Sequence, residues 1–424
     1  MKVWMLQIGE PIVGIDPGVR PLRCNMLGDA LLARGHQVRW WTSTFNHFNK
    51  AYRFPHYQTV ELKPGLTATL LHATPPYHRH TSINRLLNQR SAARGFRIMS
   101  PSCEPPNLIF ACLPTPEMCE EAIIFGKRLD IPVIIDVRDK WPDLYTQILP
   151  KPLRPLARIA LTTEYRRIRR IFRDATAITA VSRSYLDWAL AYAGRAAHPA
   201  DAVFPLGFPF SPVAETNREL LDTFMCRYGL RPQAKLFSFS GTFGMTYDLD
   251  TIIEAARGLY RDGRQDIQFV LAGDGYKGAT LRQRASGLGN IVFTGWLDQT
   301  GLRMLLEQST AGLCAYAHGA PQSLPNKPFE YMAAGLPQIS SLTGELEALL
   351  ASHDIGLQYQ AGDAGSLRSQ VLRLADFPTE RNAMAARASA LFQREFAAMR
   401  IYPRLAAHFE QVADGKAIQV TNEG

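Results

Sequence analysis

A short segment in the second half of the chain combines residue types that could hold a phosphorylated sugar. Residues 325–337 read P-N-K-P-F-E-Y-M-A-A-G-L-P, which predicts a short helix that stops at Gly335 and Pro337. A helix N-terminus offers free N–H groups and partial positive charge, so it suits an anion such as a diphosphate. Lys327 would add a full charge, and Glu330, one turn further on, can accept hydrogen bonds from sugar hydroxyls. The segment therefore predicts a nucleotide-sugar site, with an ordinary surface helix as the alternative.

Three strand ends in the second half carry glycines suited to the same ligand. Strand-like residues 236–240, 269–272 and 291–294 each run directly into a glycine turn. Glycine lets the backbone approach a phosphate closely, and the carboxyl ends of parallel strands meet at one edge of a sheet. The turns are therefore predicted to share one ligand with Lys327, and backbone groups after Gly295 would meet the base. The predicted donor contacts in these turns are Gly241, Thr242, Gly244, Gly273, Gly275, Gly295, Trp296 and Leu297.

Length and composition indicate a globular protein of two domains. The chain has 424 residues, of which 46% are hydrophobic and 20% are charged, enough for two cores of ordinary size. No apolar run approaches the ~18 residues of a membrane-spanning helix, and residues 1–9 read as a first buried strand. The six cysteines lack C-x-x-C spacing and metal-ligand spacing to histidines, which is typical of reduced thiols in a cytosolic protein. We therefore expect a cytoplasmic location and no metal site.

Strand-like and helix-like runs alternate along both halves of the chain, which predicts parallel sheets with crossover helices. A Pro- and Gly-rich break at residues 204–209 reads as an interdomain linker. The fold class we predict is α/β, with two doubly wound Rossmann-like domains that face a central cleft. Residues 1–205 would form the first domain and residues 206–395 the second. A C-terminal helix at about 396–424 would pack back on the first domain, and residues 74–95 are predicted to be irregular, as a long loop or short helices.

Positive charge is concentrated in the first half of the chain. Its densest part is residues 151–173, where basic and aliphatic residues alternate. This pattern predicts an amphipathic basic helix of the type that lies on an anionic membrane, which would place the protein peripherally on the inner face of the plasma membrane. A solvated face or contacts to an anionic acceptor are the alternatives. No zinc finger or aromatic-interleaved RNA-binding motif accompanies the charge, so nucleic acid is not expected as a partner.

The order of the motifs in the second half resembles the donor domain of family 4 retaining glycosyltransferases of the GT-B fold. G-T-F-G at 241–244 is followed by G-D-G at 273–275, by I-V-F-T-G ending at Gly295, and by K-x-x-E-Y-x-A-A-G-x-P from Lys327. The variety that these motifs resemble most builds bacterial O-antigen, capsule and exopolysaccharide units. After the first donor-domain strand the family usually has an arginine and a lysine, where this chain has G-T-F-G. Members of the O-antigen type often have such a glycine-containing segment as well.

The resemblance implies roles for three residues of the second half. In that family the second glutamate of a Glu-x7-Glu motif binds the nucleotide ribose, and this position is Glu330. Lys327 matches a lysine that faces the donor diphosphate. Gln322 stands where many relatives have the first glutamate, which touches the transferred sugar, so Gln322 is also a predicted donor contact.

The first half resembles the acceptor domain of the same family. Residues 131–143, I-P-V-I-I-D-V-R-D-K-W-P-D, match its Asp-x-Arg-Asp-x-Trp-Pro-acid segment, and residues 42–47 match its Ser-Phe-x-His segment. A carboxylate at such a strand end can orient an acceptor hydroxyl or relay its proton, and Asp139 is the best candidate. An arginine of the first loop could grip a lipid diphosphate, or simply hold that loop. The alternative for Arg138 is a structural pairing with Asp136. The predicted acceptor contacts are Gly18, Arg20, Arg23, His47, Arg138 and Asp139.

Together these features imply an enzyme that moves a hexosyl or N-acetylhexosaminyl group from a nucleotide-diphosphate sugar, with retention, to a hydroxyl of a lipid-linked or soluble saccharide. The predicted catalytic residues are Asp139, Lys327 and Glu330, with Lys327, the glycine-loop N–H groups and the helix dipole stabilising the departing diphosphate. The resemblance implies no metal and no other cofactor. Two alternatives stay open: a UDP-N-acetylglucosamine 2-epimerase of the same fold, and a catalytically weakened nucleotide-sugar-binding protein, which Gln322 suggests.

Overall fold

The chain forms two compact units, each with its own sheet. The computed structural model describes residues 1–78, 82–149, 151–209 and 218–415. Unit 1 contains Met1–Pro205 and the chain from Ile401 onward, and unit 2 contains Leu206–Arg400. None of the helices in the described ranges combines the length and the apolar character that a membrane span requires.

Unit 1 is built on a mainly parallel sheet whose central strands are apolar along their whole length. Its strands are β1 (Lys2–Leu6), β2 (Gln37–Ser43), β3 (Phe45–Asn46), β4 (Ala51–Tyr52), β5 (Gln58–Lys63), β6 (Leu66–Leu71), β7 (Leu108–Cys112), β8 (Val133–Val137), β9 (Ala177–Ala180) and β10 (Ala202–Val203). The order is β10-β9-β8-β7-β1-β2-β6-β5, and only β5 is antiparallel to its neighbour. Strands β3 and β4 form a separate two-stranded hairpin. Every residue of β7 and β8 is buried, as expected for parallel strands that are covered on both faces.

Helices cover the sheet of unit 1. They are α1 (Arg23–Ala33), α2 (Ile83–Met99), α3 (Pro116–Leu129), α4 (Asp143–Ile148), α5 (Arg154–Ala160), α6 (Thr162–Asp174) and α7 (Arg183–Ala193), with single 3-10 turns at Ser100–Ser102 and Lys151–Leu153. Trp4, Trp41, Phe96 and Phe125 form an aromatic cluster with ring centroids 5.0–6.1 Å apart, many of them edge to face. These large side chains join the sheet to α2 and α3.

A segment that we predicted to be irregular contains helix α2. Helix α2 begins at Ile83 because the side chain of Ser82 accepts a hydrogen bond from the backbone of Arg85, which caps the first turn. Ala92, Ala93 and Phe96 bury one side of the helix against the core. The prediction for 74–95 was therefore wrong from Ile83 onward. Arginines on the exposed side of the helix made the helical spacing of the buried residues hard to recognise in the sequence.

The basic segment is two helices and not the single one that we predicted. Helices α5 and α6 are separated at Leu161. The apolar residues of α6, Ile168, Ile171 and Phe172, are buried in unit 1, so this part of the amphipathic pattern covers the protein's own core. No residue of α5 is buried.

Unit 2 has a six-stranded parallel sheet. Its strands are β11 (Lys235–Ser240), β12 (Ile267–Ala272), β13 (Ile291–Gly295), β14 (Ser309–Cys314), β15 (Gln338–Ser340) and β16 (Gly356–Gln358). The helices are α8 (Arg218–Arg227), α9 (Leu249–Arg261), α10 (Gly278–Arg284), α11 (Gln299–Glu307), α12 (Asn326–Ala333), α13 (Glu345–His353), α14 (Ala364–Asp376) and α15 (Pro378–Leu391), followed by a π-helical turn at Phe392–Phe396. Phe237, Phe269 and Leu313 of the sheet pack with Ile252 of α9 and Val371 of α14 in one buried cluster.

The last described helix, α16 (Ala398–Ala413), belongs to unit 1 from Ile401 onward. Glu410 on this helix accepts hydrogen bonds from Arg34 at 2.8 Å and pairs with His36 at 2.7 Å. The part of the predicted C-terminal helix at 416–424 lies outside the described residues. The predicted fold class, two α/β units with parallel Rossmann-like sheets, is confirmed.

Candidate active site

The strand order of unit 2 marks the place where a ligand is expected. The order is β13-β12-β11-β14-β15-β16, so the chain winds outward in one direction from β11 and in the other from β14. All of these strands are parallel, and their carboxyl ends lie at the same edge of the sheet. In such sheets, ligands bind beyond the carboxyl ends where the order reverses. The loops that follow β11 and β14 start at that point.

Two glycine turns beside this point lie backbone against backbone. The amide of Gly241 donates to the carbonyl of Ala272 at 2.8 Å, and the amide of Phe243 donates to the carbonyl of Asp274 at 2.9 Å. A Cβ atom on Gly273 would lie 1.9 Å from the carbonyl oxygen of Gly241. Gly275 is similarly confined, since its Cβ would lie 2.7 Å from the carbonyl oxygen of Phe243. Glycine is therefore required at both positions to bring the two turns together.

The turn after β11 keeps its outer side open. Apart from its two chain neighbours, no described residue has an atom within 4 Å of the Cβ position of Gly244, and Thr242 is exposed. Gly241 has a φ of +143°, which side chains rarely adopt. Glycine therefore has two roles in these turns. It allows close packing at Gly273 and Gly275, and it leaves the backbone open at Gly244.

Hydrogen bonds between the two loops at the reversal point hold them side by side. The amide of Asp248 donates to the carbonyl of Ala315 at 3.1 Å, and the amide of Ala317 donates to the carbonyl of Thr246 at 2.9 Å. This pairing fixes Tyr247, a residue that we did not predict, at the centre of the site. No recurring motif marks Tyr247 in the sequence, so only its place in the loop after a glycine turn could have drawn attention to it.

Helix α12 is positioned by its own apolar side and by its end signals. The hydroxyl of Tyr331 accepts a hydrogen bond from the amide of Ser240 at 3.4 Å and lies 3.3 Å from the carbonyl of Ser238, so the helix is fixed to β11. Gly312 on β14 allows this close packing, because a Cβ there would lie 2.3 Å from the Tyr331 ring. The helix ends as predicted, with Gly335 at a φ of +66°.

Lys327, in the first turn of α12, places a buried ammonium group beside the first glycine turn. The residue is only 7% exposed. Its Nζ donates to the hydroxyl of Tyr247 at 2.7 Å and lies 4.8 Å and 3.9 Å from the ring centroids of Phe239 and Tyr247. The Cβ position of Gly241 is 2.6 Å from the same Nζ. In the part of the chain that the structure describes, no carboxylate forms an ion pair with this ammonium.

The hydroxyl and the two aromatic rings around this buried ammonium do not neutralise its charge. Burying an ammonium costs several kcal/mol, which cation–π contacts of ~0.5–2 kcal/mol each offset only in part. An anion bound beside Lys327 would complete the charge pairing. The turn next to Lys327 is open at Gly244, where a phosphate oxygen could approach the backbone.

Glu330 lies one turn further along α12 and is 6% exposed. Gln322 lies in the loop before the helix, half-buried. Its side-chain Oε1 is buried and accepts no hydrogen bond from any described residue. The structure therefore places Lys327, Gln322 and Glu330 along one short stretch at the reversal point, with an amide oxygen that a ligand could satisfy.

Trp296 and Leu297 are also part of a separate cavity on unit 2. Together with residues of α8 and α11 they line a cavity of about 410 Å³. The backbone at Gly295 adjoins the second glycine turn, because its carbonyl accepts a hydrogen bond from the amide of Gly273 at 2.7 Å. The predicted contact between the base and the backbone after Gly295 stays a prediction.

In unit 1, two of the predicted acceptor contacts are part of a buried ionic network. Arg23 donates from Nε and Nη2 to the two carboxylate oxygens of Asp136, at 2.9 and 3.0 Å, and from Nη1 to the carbonyl of Phe204 at 2.9 Å. Arg138 donates from Nε to Asp136 at 2.6 Å and pairs through Nη1 with Glu10. Burial alone would raise the pKa of Asp136, but the two guanidinium groups hold that pKa below its ordinary value.

This network corrects the predictions for Arg23 and Arg138. Arg23 is 2% exposed, and its donors are committed to Asp136 and to the end of unit 1's last strand, so it cannot contact an acceptor. Arg138 follows the structural alternative, since its donors also reach the sulfur atoms of Cys24 and Cys112. Both arginines hold the loops after β1 and β8 in place.

Asp139 differs from its neighbour Asp136 because no guanidinium hydrogen-bonds to it in the described structure. Burial raises the pKa of Asp139 to about 6, with the Lys140 amide and the charge of Arg85 opposing this only in part. The residue keeps partial solvent access. A carboxylate with this pKa is suited to proton exchange near neutral pH.

The remaining predicted acceptor contacts are spread over loops of unit 1. Gly18 is exposed with a φ of +68°, and Arg20 is partly exposed in the same loop after β1. His47 pairs through Nδ1 with the hydroxyl of Tyr77 at 2.5 Å. The acceptor role of Gly18, Arg20 and His47 stays a prediction.

Comparison with known proteins agrees with this fold. Residues 234–376, which run from the start of the unit 2 sheet to the end of α14, match the family model described as glycosyl transferases group 1. A search of curated protein sequences finds no match.

Solved structures match nearly the whole chain. Sucrose-phosphate synthase from Thermosynechococcus elongatus has a TM-score of 0.71 at 17% identity, covering 98% of this chain and 100% of its own. HepE of Anabaena in complex with UDP and glucose has a TM-score of 0.67 at 14% identity, covering 97% and 100%. WaaG, a glycosyltransferase involved in lipopolysaccharide biosynthesis, has a TM-score of 0.64 at 14% identity, covering 96% and 99%. These similarities show the GT-B fold, and with the family match they support a GT-B glycosyltransferase.

Proposed function

We propose that the protein is a retaining glycosyltransferase of family 4 type that transfers a hexosyl or N-acetylhexosaminyl group from a nucleotide-diphosphate sugar to a hydroxyl of a saccharide. The observation that carries the proposal is the buried ammonium of Lys327 beside the glycine turn at 241–244, whose backbone is open at Gly244. The match to glycosyl transferases group 1 and the solved complex of HepE with UDP and glucose support a nucleotide sugar as the ligand.

The donor would bind on unit 2 with its diphosphate at Lys327 and at the glycine turns. Glu330 would accept hydrogen bonds from the ribose, as the family resemblance implies. Gln322, whose side-chain oxygen accepts no hydrogen bond from the described residues, would turn its amide toward the transferred sugar. An amide can both donate to and accept from sugar hydroxyls, so glutamine at this position is compatible with sugar binding.

In the reaction, the bond between the anomeric carbon and the diphosphate oxygen breaks, and its electron pair leaves with the nucleoside diphosphate. The acceptor oxygen bonds to the anomeric carbon and loses its proton. Asp139 would orient this hydroxyl or relay its proton to the departing diphosphate. Charge developing on the leaving group would be stabilised by Lys327 and by backbone amides of the glycine turns. Retention comes from the family resemblance. These groups supply positive charge at the leaving group, so we propose that turnover needs no metal and no other cofactor.

A transfer assay with two variants tests the proposal. Lys327→Ala and Glu330→Ala should lose transfer and donor hydrolysis, whereas Arg394→Ala, which removes an exposed cation of unit 2, should keep both. Product analysis with and without acceptor separates the alternatives. A changed sugar without acceptor would indicate the 2-epimerase, and tight nucleotide-sugar binding with no turnover would indicate a binding protein.

We further propose that the acceptor is lipid-linked and that unit 1 contacts an anionic membrane surface through α5, on the cytoplasmic side. Leu153, Leu156 and Ile159 at this helix are 47%, 64% and 71% exposed, and Arg158 on the same helix is also exposed. Exposed aliphatic side chains next to arginines suit insertion at an anionic lipid surface. WaaG, which acts in lipopolysaccharide biosynthesis, supports a polysaccharide role by its similarity.

Vesicle flotation tests the membrane contact. Vesicles of phosphatidylglycerol should retain the wild-type protein at low salt and lose it at high salt, while neutral vesicles should not retain it. Leu156→Ser with Ile159→Ser should abolish retention. Leu220→Ser, which changes an equally exposed leucine of unit 2, is the matched control. Equal retention of all three proteins would refute the role of α5.

A further inference from the structure

The hydroxyl group of Tyr247 lies beside the ammonium of Lys327 and keeps a donor of its own. Tyr247 is half-buried in the loop between β11 and α9. A lysine ammonium can only donate, so the phenol oxygen of Tyr247 accepts the 2.7 Å hydrogen bond from Lys327 Nζ. A phenol also has an O–H group that can donate. In the described part of the chain, no carbonyl or carboxylate oxygen accepts a hydrogen bond from this O–H group.

The contact with Lys327 makes the phenol a stronger donor. Positive charge at the phenol oxygen draws electron density out of the O–H bond, and linked hydrogen bonds polarise one another in this way. The hydrogen also points away from the ammonium, because a lone pair of the oxygen faces it. An anion that approaches Lys327 can therefore accept from two neighbouring donors, the ammonium and the phenol of Tyr247.

Aromatic and backbone contacts fix the position of this hydroxyl. The Tyr247 ring centroid lies 5.2 Å from that of Phe239, edge to face, and 5.1 Å from that of Tyr316. The flanking residues Thr246 and Asp248 form backbone hydrogen bonds with the loop after β14. The hydroxyl is therefore held in place before a ligand binds, and donors held in this way are the most effective at stabilising charge that develops in a reaction.

Tyr247 also adjoins the first glycine turn. Its amide donates to the carbonyl of Gly244 at 3.3 Å, and Gly244 is the residue at which the backbone of the turn is open. Lys327 Nζ lies at the other end of the turn, 2.6 Å from the Cβ position of Gly241. The phenol, the ammonium and the turn therefore border one place on unit 2 where a diphosphate oxygen could lie.

A phenol suits this place better than a second cation would. Two ammonium groups buried side by side would repel each other, and each would have to be desolvated. The hydroxyl adds a hydrogen bond without adding a charge. As the bond between the sugar and the diphosphate breaks, negative charge grows on the diphosphate, so a fixed donor stabilises the transition state more than the bound substrate.

We propose that Tyr247 is a further catalytic residue, whose hydroxyl accepts from Lys327 and donates a hydrogen bond to a diphosphate oxygen of the nucleotide sugar. This inference rests on the proposed glycosyltransferase function and adds a residue to the same site. The phenol keeps its proton throughout the reaction. Its contribution is therefore stabilisation of the leaving group and not proton transfer.

Tyr247→Phe tests the inference, because it keeps the ring and its contacts and removes only the hydroxyl. Isothermal titration with UDP, GDP and ADP should show that the best-binding nucleotide has a Kd about tenfold higher in the variant, as expected for loss of a hydrogen bond to a charged group. The kcat for transfer should also fall by about tenfold or more. Tyr260→Phe, which removes an exposed hydroxyl from α9 of the same unit, should match the wild type.

The direction of the change separates a ligand contact from a purely structural role. If the hydroxyl of Tyr247 only occupied the ammonium of Lys327, its removal would release that ammonium, and the nucleoside diphosphate would bind equally well or more tightly. Unchanged or tighter binding by Tyr247→Phe therefore overturns the inference.

A double variant separates a direct contact from an effect through Lys327. Adding Tyr247→Phe to Lys327→Met should raise the Kd of the nucleoside diphosphate by a further factor of about three or more, because the phenol still donates to the ligand. No further loss of affinity would show that Tyr247 only orients Lys327, and this result would overturn the inference.

A spectroscopic measurement on the wild type does not depend on the folding of any variant. Inorganic pyrophosphate has no near-ultraviolet absorbance, so a difference spectrum recorded with saturating pyrophosphate reports the aromatic side chains of the protein. We expect a tyrosine signal that Tyr260→Phe keeps and Tyr247→Phe loses. Absence of a tyrosine signal in the wild type, or its persistence in folded Tyr247→Phe, overturns the inference.

Failure of this inference and failure of the proposed function give different results. If the wild type binds none of the three nucleoside diphosphates, the proposed function fails. If the wild type binds a nucleoside diphosphate and transfers sugar while Tyr247→Phe and Tyr260→Phe have the same Kd and kcat, only the role of Tyr247 fails.

Discussion

Replacing Lys327 by methionine should weaken nucleotide binding without lowering the free energy of unfolding. Methionine keeps the aliphatic stem between Phe239 and Tyr247 and removes only the charge. In the wild type the ammonium is 7% exposed, hydrogen-bonded to Tyr247 and without a carboxylate partner among the residues described. The substitution therefore removes a charge whose burial opposes folding and which, by our account, an anionic ligand needs.

The magnitudes follow from these contacts. A charge-assisted hydrogen bond contributes ~1.5–3 kcal/mol, and ~1.4 kcal/mol corresponds to a tenfold change in Kd. Binding of a nucleoside diphosphate by Lys327→Met should therefore be about 10- to 100-fold weaker. The loss of the contact to Tyr247 and of two cation–π contacts is offset by relief of desolvation, so the free energy of unfolding should be unchanged or higher by ~1 kcal/mol.

Two assays on the same preparations check this prediction. Isothermal titration with UDP, GDP and ADP gives the Kd of the best-binding nucleotide, and urea unfolding without ligand gives the free energy of unfolding. Arg394→Met serves as the control for loss of a cation from unit 2. A variant that is less stable by more than ~2 kcal/mol yet binds the nucleotide with wild-type affinity would show that Lys327 is a structural residue and would refute the reasoning.

The structure yields four more predictions. Gly273→Ala should destabilise unit 2 by ~2 kcal/mol or more in urea unfolding, because its Cβ would overlap a backbone oxygen, whereas Gly244→Ala should unfold like the wild type. Transfer should fall as pH drops below about 6, where Asp139 is protonated, and a pH–rate profile of Asp139→Asn should lack this limb. Since the folded pKa of Asp139 is raised, its contribution to stability is present at low pH and lost as pH rises through about 6, so Asp139→Asn should be the more stable protein at pH 8. Arg23→Ala should lower the free energy of unfolding by ~3–5 kcal/mol, because it leaves the carboxylate of Asp136 buried without one of its partners. An unchanged urea midpoint for Arg23→Ala would contradict this role.

Much of the fold could be predicted from the sequence because the apolar runs of parallel strands are short and continuous. The runs at 108–112 and 133–137 coincide with β7 and β8, and those of the second half with the strands that end at the glycine turns. The hairpin of β5 and β6 was missed. Alternating exposed and half-buried residues in β5 give it a weak apolar signal, and it pairs only at the sheet edge.

The candidate site was predictable on unit 2 and much less so on unit 1. The glycine turns and the helix that carries Lys327 are recognised from short sequence patterns. Each pattern folds into one turn or one helix, so its residues stay close together in the structure. The role of Arg23 depends on Asp136, which is far away in sequence, and no local pattern shows that their side chains meet in the interior.

The most direct test of the account is a crystal structure with the nucleoside diphosphate that binds best in titration. We predict that a diphosphate oxygen lies within hydrogen-bond distance of Lys327 Nζ and of backbone amides in the turn after β11, with the ribose at Glu330. A nucleotide bound elsewhere on unit 2, for example in the cavity lined by Trp296, with Lys327 still hydrogen-bonded to Tyr247 and making no contact with the nucleotide, would contradict the account.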